Sequence, residues 1–180
     1  GGGGASTESQ QQLLLTNFAL KDLRAIPGVE SVIPRDYLMA AGLLKDQKLG
    51  TGVNIIGIDT SDLSSLGLEA TEGDTALARG TVVIGVMVPS NFYDPKMRPG
   101  QEAPPPPQLY GQQIQMVVSK WDAQGVETRK TLSLRVVGVP KETRGESDWS
   151  IYMPLEQIKT LNEWAMNRRN NYNKYAYSQV

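Results

Sequence analysis

Apolar residues alternate with polar ones, or run together in short segments, along the middle of this chain, which is the pattern of β-strands. Residues 53–58 read as one strand, and residues 81–88 form a nearly continuous apolar run, typical of a strand buried on both faces. Residues 112–118 and 131–137 flank a turn-forming segment at residues 122–125. This arrangement predicts a long antiparallel hairpin with one solvated face.

The last third of the chain combines strand and helix signals. Residues 149–153 read as a strand, and Pro154 suits the first turn of a helix because that position needs no N–H partner. Apolar residues then recur every three to four positions, at Leu155, Ile158, Leu161 and Trp164 or Ala165. The period predicts a helix near residues 154–167, and residues 172–180 read as a final strand.

The N-terminal part shows a shorter version of the same signals. After a glycine-rich start, Thr16 is a candidate N-cap, and apolar residues follow at Leu20, Leu23 and Ile26. Pro27 ends this predicted helix, and residues 29–33 alternate as a strand. A β–α–β unit interrupted by a β-rich insert is therefore the predicted organisation, and α+β the predicted fold class.

Residues 94–109 interrupt the strands with a proline-rich stretch that ends in four consecutive prolines. Prolines favour the polyproline II conformation and donate no hydrogen bonds to a sheet. We interpret this stretch as a surface loop. The alternative is a polyproline ligand for a partner of the SH3 type.

Composition narrows the possible functions. Histidine and cysteine are absent, which removes His-based acid–base catalysis, Ser-His-Asp and Cys-His triads, and ordinary zinc or iron–sulfur sites. With 18 basic and 19 acidic residues, the chain has no positive excess for nucleic acid or anionic lipid. No apolar run approaches the ~20 residues that span a bilayer. Because the chain begins with Gly1 and not with methionine, we expect a piece of a longer protein. Because it lacks a membrane-length apolar run, we expect this piece to be soluble.

Several short motifs, in order along most of the chain, resemble those of a known family. They are IPGV at residues 26–29, VVIG at 82–85, YGQQI at 110–114, VVGV at 136–139 and IYMPL at 151–155. Each motif alone is weak, but the ordered set is specific. The chain resembles the extracytoplasmic core domain of MacB-like and FtsX-like ABC transporter permeases. It departs from the family in its longer proline-rich stretch and in ending at Val180.

The resemblance implies two lobes. A partial porter-like, membrane-proximal β–α–β lobe would use residues 1–37 and 172–180. A β-rich inserted, sabre-like lobe would run over residues 38–171 and contain the helix near 154–167. The localisation implied is the extracytoplasmic side of the cell membrane, periplasmic or extracellular.

The resemblance also implies a role and partners. ATP hydrolysis in a separate cytoplasmic domain would move transmembrane helices that are absent from this chain, and this domain would transmit the motion for substrate export. Its partners would be a second permease subunit, in a homodimer or heterodimer, and an adaptor of the membrane-fusion type. Alternatives are an ectodomain that senses peptide or lipid, or one that releases lipoproteins.

Candidate chemistry is sparse. No Walker A sequence occurs, so ATP binding of that type is not expected here. The densest acidic cluster suits either turn caps and solvated charge or a bound cation, and comprises Asp59, Asp62, Glu69, Glu72 and Asp74. A pair of carboxylates acting as a glycosidase depends on a separation that sequence does not give. We predict no catalytic, cofactor-binding or metal-binding residues.

Aromatic residues supply the one candidate contact site. Trp121 comes at the predicted hairpin tip, where a large apolar side chain would be exposed. It either packs against the other lobe or contacts a partner, since exposed aromatic residues anchor many interfaces. Trp149, Tyr152 and Trp164 are predicted to pack in the core or between the lobes.

Overall fold

The computed structural model of this chain describes residues 33–166 and, apart from these, the single positions Ala25 and Pro27. The strands are β1 (Arg35–Tyr37), β2 (Ala41–Asp46), β3 (Leu49–Gly52), β4 (Asn54–Ile58), β5 (Ala70–Gly73), β6 (Thr81–Ile84), β7 (Gln113–Trp121), β8 (Glu127–Pro140) and β9 (Ser150–Pro154). The helices are α1 (Thr60–Ser65) and α2 (Leu155–Met166), with short 3₁₀ turns at Val88–Asn91 and Glu146–Trp149. Within this described part, no helix is long and apolar enough to cross a bilayer.

All nine strands of the described part belong to one mixed sheet. Its order is β1-β4-β9-β6-β8-β7-β2-β3, and β5 pairs with the end of β8. The pairs β4–β9 and β6–β8 are parallel, and the others are antiparallel. One sheet carrying two helices is an α+β fold, so the predicted fold class is confirmed.

Strand alternation divides the core between the two faces of the sheet. One face, here called the α2 face, packs Ile55 of β4 and Met153 of β9 against Ile158 of α2. The opposite α1 face packs Ile56 and Tyr152 against Leu63 of α1. Each helix therefore covers one side of the β4–β9 region.

Helix α2 lies directly on β4. A Cβ atom added at Gly57 would stand 2.7 Å from Cβ of Ile158 and 3.2 Å from the Cα atom of Leu155. Farther along the helix, buried Asn162 donates from Nδ2 to the carbonyl of Tyr37 (2.9 Å) and accepts from the N–H of Met39 at Oδ1 (2.8 Å). These contacts fix α2 against both β4 and the β1–β2 connection.

Most of the predicted elements in the described part are confirmed. Strands β4 and β9 and helix α2 lie within about one residue of their predicted positions, and the β7–β8 hairpin is confirmed, although its strands extend three to four residues closer to the tip than predicted. The strand predicted for residues 81–88 is shorter, because it ends at Ile84 and the chain enters the 3₁₀ turn. Gly85 and Met87 bond there to the backbone of Ser150 and Asp148 instead of continuing the ladder.

The predicted N-terminal helix after Thr16 and the final strand at 172–180 lie outside the described residues, as does the strand at 29–33 except for Ile33. The division into a porter-like and an inserted lobe therefore stays a prediction. Strand β1, which ends at the predicted lobe boundary, pairs with β4 from Arg35↔Ile58 to Tyr37↔Ile56.

Candidate interaction site

The hairpin arm, defined here as residues 113–135, carries the predicted contact residue. It comprises β7, the turn and the first part of β8, paired from Gln113↔Arg135 to Trp121↔Glu127. Strand β2 pairs with β7 only as far as Ser119, and β6 meets β8 only from Arg135 onward. In the described part of the chain, the end of the arm is therefore two strands wide.

The turn at the end of the arm is fixed by Asp122. Its carboxylate oxygen Oδ1 accepts the N–H groups of Gln124 and Val126, both at 2.9 Å. Its backbone N–H donates to the carbonyl of Val126, and its carbonyl accepts from Gly125, both at 3.0 Å. Gly125 supplies the positive φ of 79° that the turn requires. The tip is consequently a preorganised structure.

Two large apolar side chains project from this tip. Trp121 is 56% exposed and Val126 is 59% exposed. Trp121 thus lies at the hairpin tip, as predicted, and the described residues do not enclose it. Whether it packs against the other lobe or contacts a partner stays a prediction. Exposed aromatic side chains on a rigid support bury a large area on binding with little loss of entropy.

An ion pair borders Trp121. Arg129 Nε donates to Glu127 Oε1 at 2.8 Å, and Arg129 Nη2 donates to Oε2 at 3.2 Å. These hydrogen bonds, together with one from Ser119, hold the pKa of Glu127 below its usual value. The two carboxylates of the arm, Asp122 and Glu127, are therefore both engaged within it.

The arm is also attached to the end of α2. Lys120 Nζ donates to the carbonyl of Trp164 at 3.0 Å and stands 4.4 Å from the centroid of the Trp164 ring. Lys130 Nζ is 5.9 Å from the same centroid. An ammonium group is attracted both to the carbonyl oxygen that it bonds and to the face of the aromatic ring. Trp164 itself packs against the core, as predicted.

Two other predicted aromatic residues differ in their surroundings. Tyr152 is buried in the core of the α1 face, as predicted, and this burial raises the pKa of its hydroxyl. Trp149 is 45% exposed, so the described residues do not enclose it in the core. Its packing between lobes stays a prediction.

The acidic cluster is spread over α1 and β5. Asp59 occupies the N-cap position of α1 without a side-chain cap bond, and Glu69 and Glu72 are exposed. Asp74 Oδ1 accepts the N–H of Thr75 at 2.7 Å. Among the described residues, no group of three or more acidic side chains is placed to hold a metal ion.

The proline-rich stretch lies along the surface. Pro104 and Pro107 are partly buried, whereas Pro105 and Pro106 are exposed, which is the three-residue period of polyproline II. The two prolines of the P-x-x-P spacing thus face the protein itself. A shallow depression of about 320 Å³ beside the stretch is lined mainly by polar residues: Lys48, Asp94, Met97, Gln101, Glu102 and Pro104.

With this geometry established, comparison with known proteins identifies the family. The model for the MacB-like periplasmic core domain matches residues 2–177. The chain belongs to this family. It is thus a periplasmic domain of a MacB-like ABC transporter permease. No curated protein matches the chain.

Two solved structures resemble the fold. One is the extracellular domain of the ABC-type transporter YknZ from Gram-positive bacteria, at 16% identity and a TM-score of 0.54, covering 96% of this chain and 75% of that one. The other is the periplasmic region of MacB from Actinobacillus actinomycetemcomitans, at 16% identity and a TM-score of 0.50, covering 88% of this chain and 63% of that one. At such identity the resemblance is one of fold.

Sequence reasoning missed the contacts that support the arm. Lys120 precedes Trp121 in a strand and carries no motif that points to Trp164. Asn162 did leave a signal, since it is a polar residue beside the apolar stripe of α2. Buried amides inside helices commonly serve as hydrogen-bond partners of other elements.

Proposed function

We propose that this domain transmits ATP-driven movement of the permease across the membrane for substrate export. The observation that carries the proposal is the attachment of α2 to the sheet at both ends. The first turns of α2 pack directly on Gly57 of β4. Its last turns are bonded through Asn162 to the N–H of Met39 and through the carbonyl of Trp164 to Lys120. Because α2 leads directly into the C-terminal residues, a displacement of that connection would move the whole sheet as a rigid element.

The remaining machinery lies outside this chain. ATP hydrolysis takes place in a separate cytoplasmic nucleotide-binding domain, and transmembrane helices connect it to the extracytoplasmic side. The domain works beside a second permease subunit and with an adaptor protein of the membrane-fusion type. Trp121, on its fixed turn, is the residue we assign to partner contact.

Spin-label distances in the complete permease test the proposal. These 180 residues contain no cysteine, and in a permease whose other cysteines are replaced, Gln124→Cys places one label at the tip of the arm of each subunit. We expect the distance between the two labels to change when Mg-ATP is added to the reconstituted permease. A subunit with labels at both Gln124→Cys and Ser65→Cys, paired with an unlabelled subunit, should keep its internal distance.

The two measurements distinguish movement of the domain as a rigid element from deformation within the domain. An unchanged distance between subunits, in a preparation that hydrolyses ATP, would contradict the proposal. A broadened internal distance would show that the domain deforms instead of moving as a rigid element.

A further inference from the structure

We propose that Asn162 and Lys159 join the outgoing helix α2 to the incoming strand β1, so that both connections of the domain to the permease move as one body. We call these contacts the β1–α2 joint. It comprises Asp36, Tyr37 and Met39 on one side and Lys159 and Asn162 on the other. The joint rests on the proposed function, since it specifies how movement enters the sheet.

The described part of the domain is attached to the remainder of the chain at two points. Residue 33 leads into β1, and residue 166 is the last residue of α2. Movement that arrives through the polypeptide therefore enters at β1, at α2 or at both. A displacement of one point relative to the other would deform the domain, whereas a displacement of both together moves it as a rigid element.

Strand β1 by itself is a weak attachment. It has three residues and, in the described part of the chain, is the edge strand beside β4. Leu38, which follows it, donates its N–H to the carbonyl of Ile55 at 3.1 Å, so the backbone polar groups of Tyr37 and Met39 point away from β4. Without bonds on this outer side, a short edge strand is among the first parts of a sheet to open.

The side-chain amide of Asn162 supplies these outer bonds. Its Nδ2 donates to the carbonyl of Tyr37 at 2.9 Å, and its Oδ1 accepts the N–H of Met39 at 2.8 Å. A carboxamide carries the same donor and acceptor as a peptide group, and it bonds here as one residue of an adjacent parallel strand would. Asn162 is 5% exposed, so a break of these bonds would leave buried polar groups without partners.

A pair of buried charged residues adds to the joint one turn earlier in α2. Asp36 pairs with Gly57, over which Ile158 packs, so the side chain of Asp36 faces α2. Asp36 and Lys159 are 6% and 9% exposed. Burial lowers the pKa of Lys159, and the negative charges of Glu156 and Asp36 oppose this effect. Separating the two elements would weaken this compensation between buried charges, which is unfavourable.

The joint differs from the other attachments of α2 in what it connects. Gly57 and Lys120 attach α2 to the sheet and to the arm. Gln157 Oε1 accepts the N–H of Gly80 at 3.0 Å, just before β6. Of these attachments, the joint alone connects the two elements that lead out of the described part of the chain.

Label distances in the complete permease test the joint. Asn162→Leu keeps the approximate size of the side chain but removes both hydrogen bonds. Labels are placed at Gln124→Cys in both subunits, with the other cysteines replaced. We expect the distance change on addition of Mg-ATP to be severalfold smaller in this variant than in the parent, although ATP hydrolysis continues. The reason is that β1 would slide against α2 and absorb the movement.

Gln157→Leu is the matched control. It also removes a hydrogen bond between an amide side chain of α2 and the backbone, but this bond leads to Gly80 and not to β1. We expect this variant to have a lower unfolding temperature and to keep the full distance change. The comparison separates the joint from a general loss of stability.

Amide exchange in the parent permease tests the joint without a substitution in α2. The N–H of Met39 is bonded within the joint, so a peptide that covers residues 36–40 should exchange equally slowly with and without Mg-ATP. If Asn162→Leu does not assemble into a permease, this measurement decides.

Three results would overturn the joint. One is a full distance change in Asn162→Leu. Another is an equal loss of the distance change in Gln157→Leu. The third is faster exchange of residues 36–40 in one nucleotide state, since the joint would then open during the cycle. A distance change in the parent alongside any of these would leave the transmission proposal standing, whereas a parent that hydrolyses ATP without a distance change would contradict transmission itself.

Discussion

Asp148 organises the loop between β8 and β9 through a single carboxylate. Its oxygen Oδ1 accepts the N–H and hydroxyl of Thr143 at 2.8 and 3.0 Å, and Oδ2 accepts the N–H of Arg144 at 2.8 Å. Asp148 is only 3% exposed. Burial raises its pKa, but the hydrogen bonds from Thr143 and Arg144 outweigh this effect and leave the pKa below its ordinary value of 3.8.

Replacing this carboxylate should destabilise the fold. Asp148→Asn turns one acceptor into an N–H group that faces the N–H of Arg144, so we expect a loss of about 1–3 kcal/mol at pH 7. Urea unfolding measures this loss. Glu142→Gln, an exposed change in the same loop, should stay within about 0.5 kcal/mol. Equal effects of the two substitutions would contradict the role of Asp148.

The stabilisation by Asp148 should also depend on pH. Because its pKa is lower in the folded than in the unfolded chain, the stabilisation is fully present above pH values near 3.8 and is lost as the pH falls through the folded pKa. The difference in unfolding free energy between the parent chain and Asp148→Asn should therefore narrow below about pH 4. A constant difference down to pH 2 would contradict this assignment.

Lys120 is the residue that joins the arm to α2. Lys120→Met keeps the aliphatic stem but removes the hydrogen bond to the Trp164 carbonyl and the charge over the ring. We expect amide exchange in the last turn of α2 to become several times faster, with a stability loss of about 1 kcal/mol. Lys130→Met, whose ammonium lies farther from the ring, should have a smaller effect. Equal exchange rates in the two variants would argue against the attachment.

At the scale of elements, the position of α2 depends on the missing side chain of Gly57. Gly57→Ala would place a methyl group against Ile158 and the backbone of Leu155, so the helix must shift outward. We expect a loss of about 1–3 kcal/mol in thermal or urea unfolding. Gly52→Ala is the matched control, because a Cβ there meets no atom within 4 Å. A neutral Gly57→Ala would mean that α2 adapts at no cost.

The whole molecule is held together by strands that are distant in sequence. Strand β4 pairs with β9 from Asn54↔Ser150 to Ile58↔Pro154, and β6 lies between β9 and β8 in the sheet. Strand β2 pairs with β7, on the other side of the proline-rich stretch. Strands that precede this stretch are thus interleaved in the sheet with strands that follow it. Their pairing does not require an intact backbone at the exposed prolines of the stretch.

This arrangement predicts that a cut in the proline-rich stretch leaves the fold intact. A protease site introduced at the exposed Pro105 and Pro106 should yield two fragments that co-elute on size exclusion in native buffer. The same fragments should separate in denaturant, where the strand pairing is lost. Separation in native buffer would show that the stretch itself holds the two halves together.

The local pattern of apolar and polar residues was sufficient to predict the strands and helices in which apolar residues recur with a clear period. Residues 53–58, the β7–β8 hairpin and α2 each show an alternation or a three-to-four-residue repeat, because burial of one face selects the apolar positions. Strands β2 and β3 have no such signal. They are glycine-rich, and their turn relies on Gln47 at a positive φ of 53°, a conformation that sequence seldom reveals in a residue other than glycine.

The sequence by itself determined the fold class, the family and the position of Trp121 at the hairpin tip. These follow from periodicity, from ordered motifs and from turn chemistry, all of which act over a few residues. Only the tertiary structure decided the strand order, the position of α2 over Gly57 and the attachment of Lys120 to Trp164. Each of these depends on which distant segments pack together. The hydrophobic period of a segment predicts that one of its faces is buried, but it does not identify the segment that buries that face.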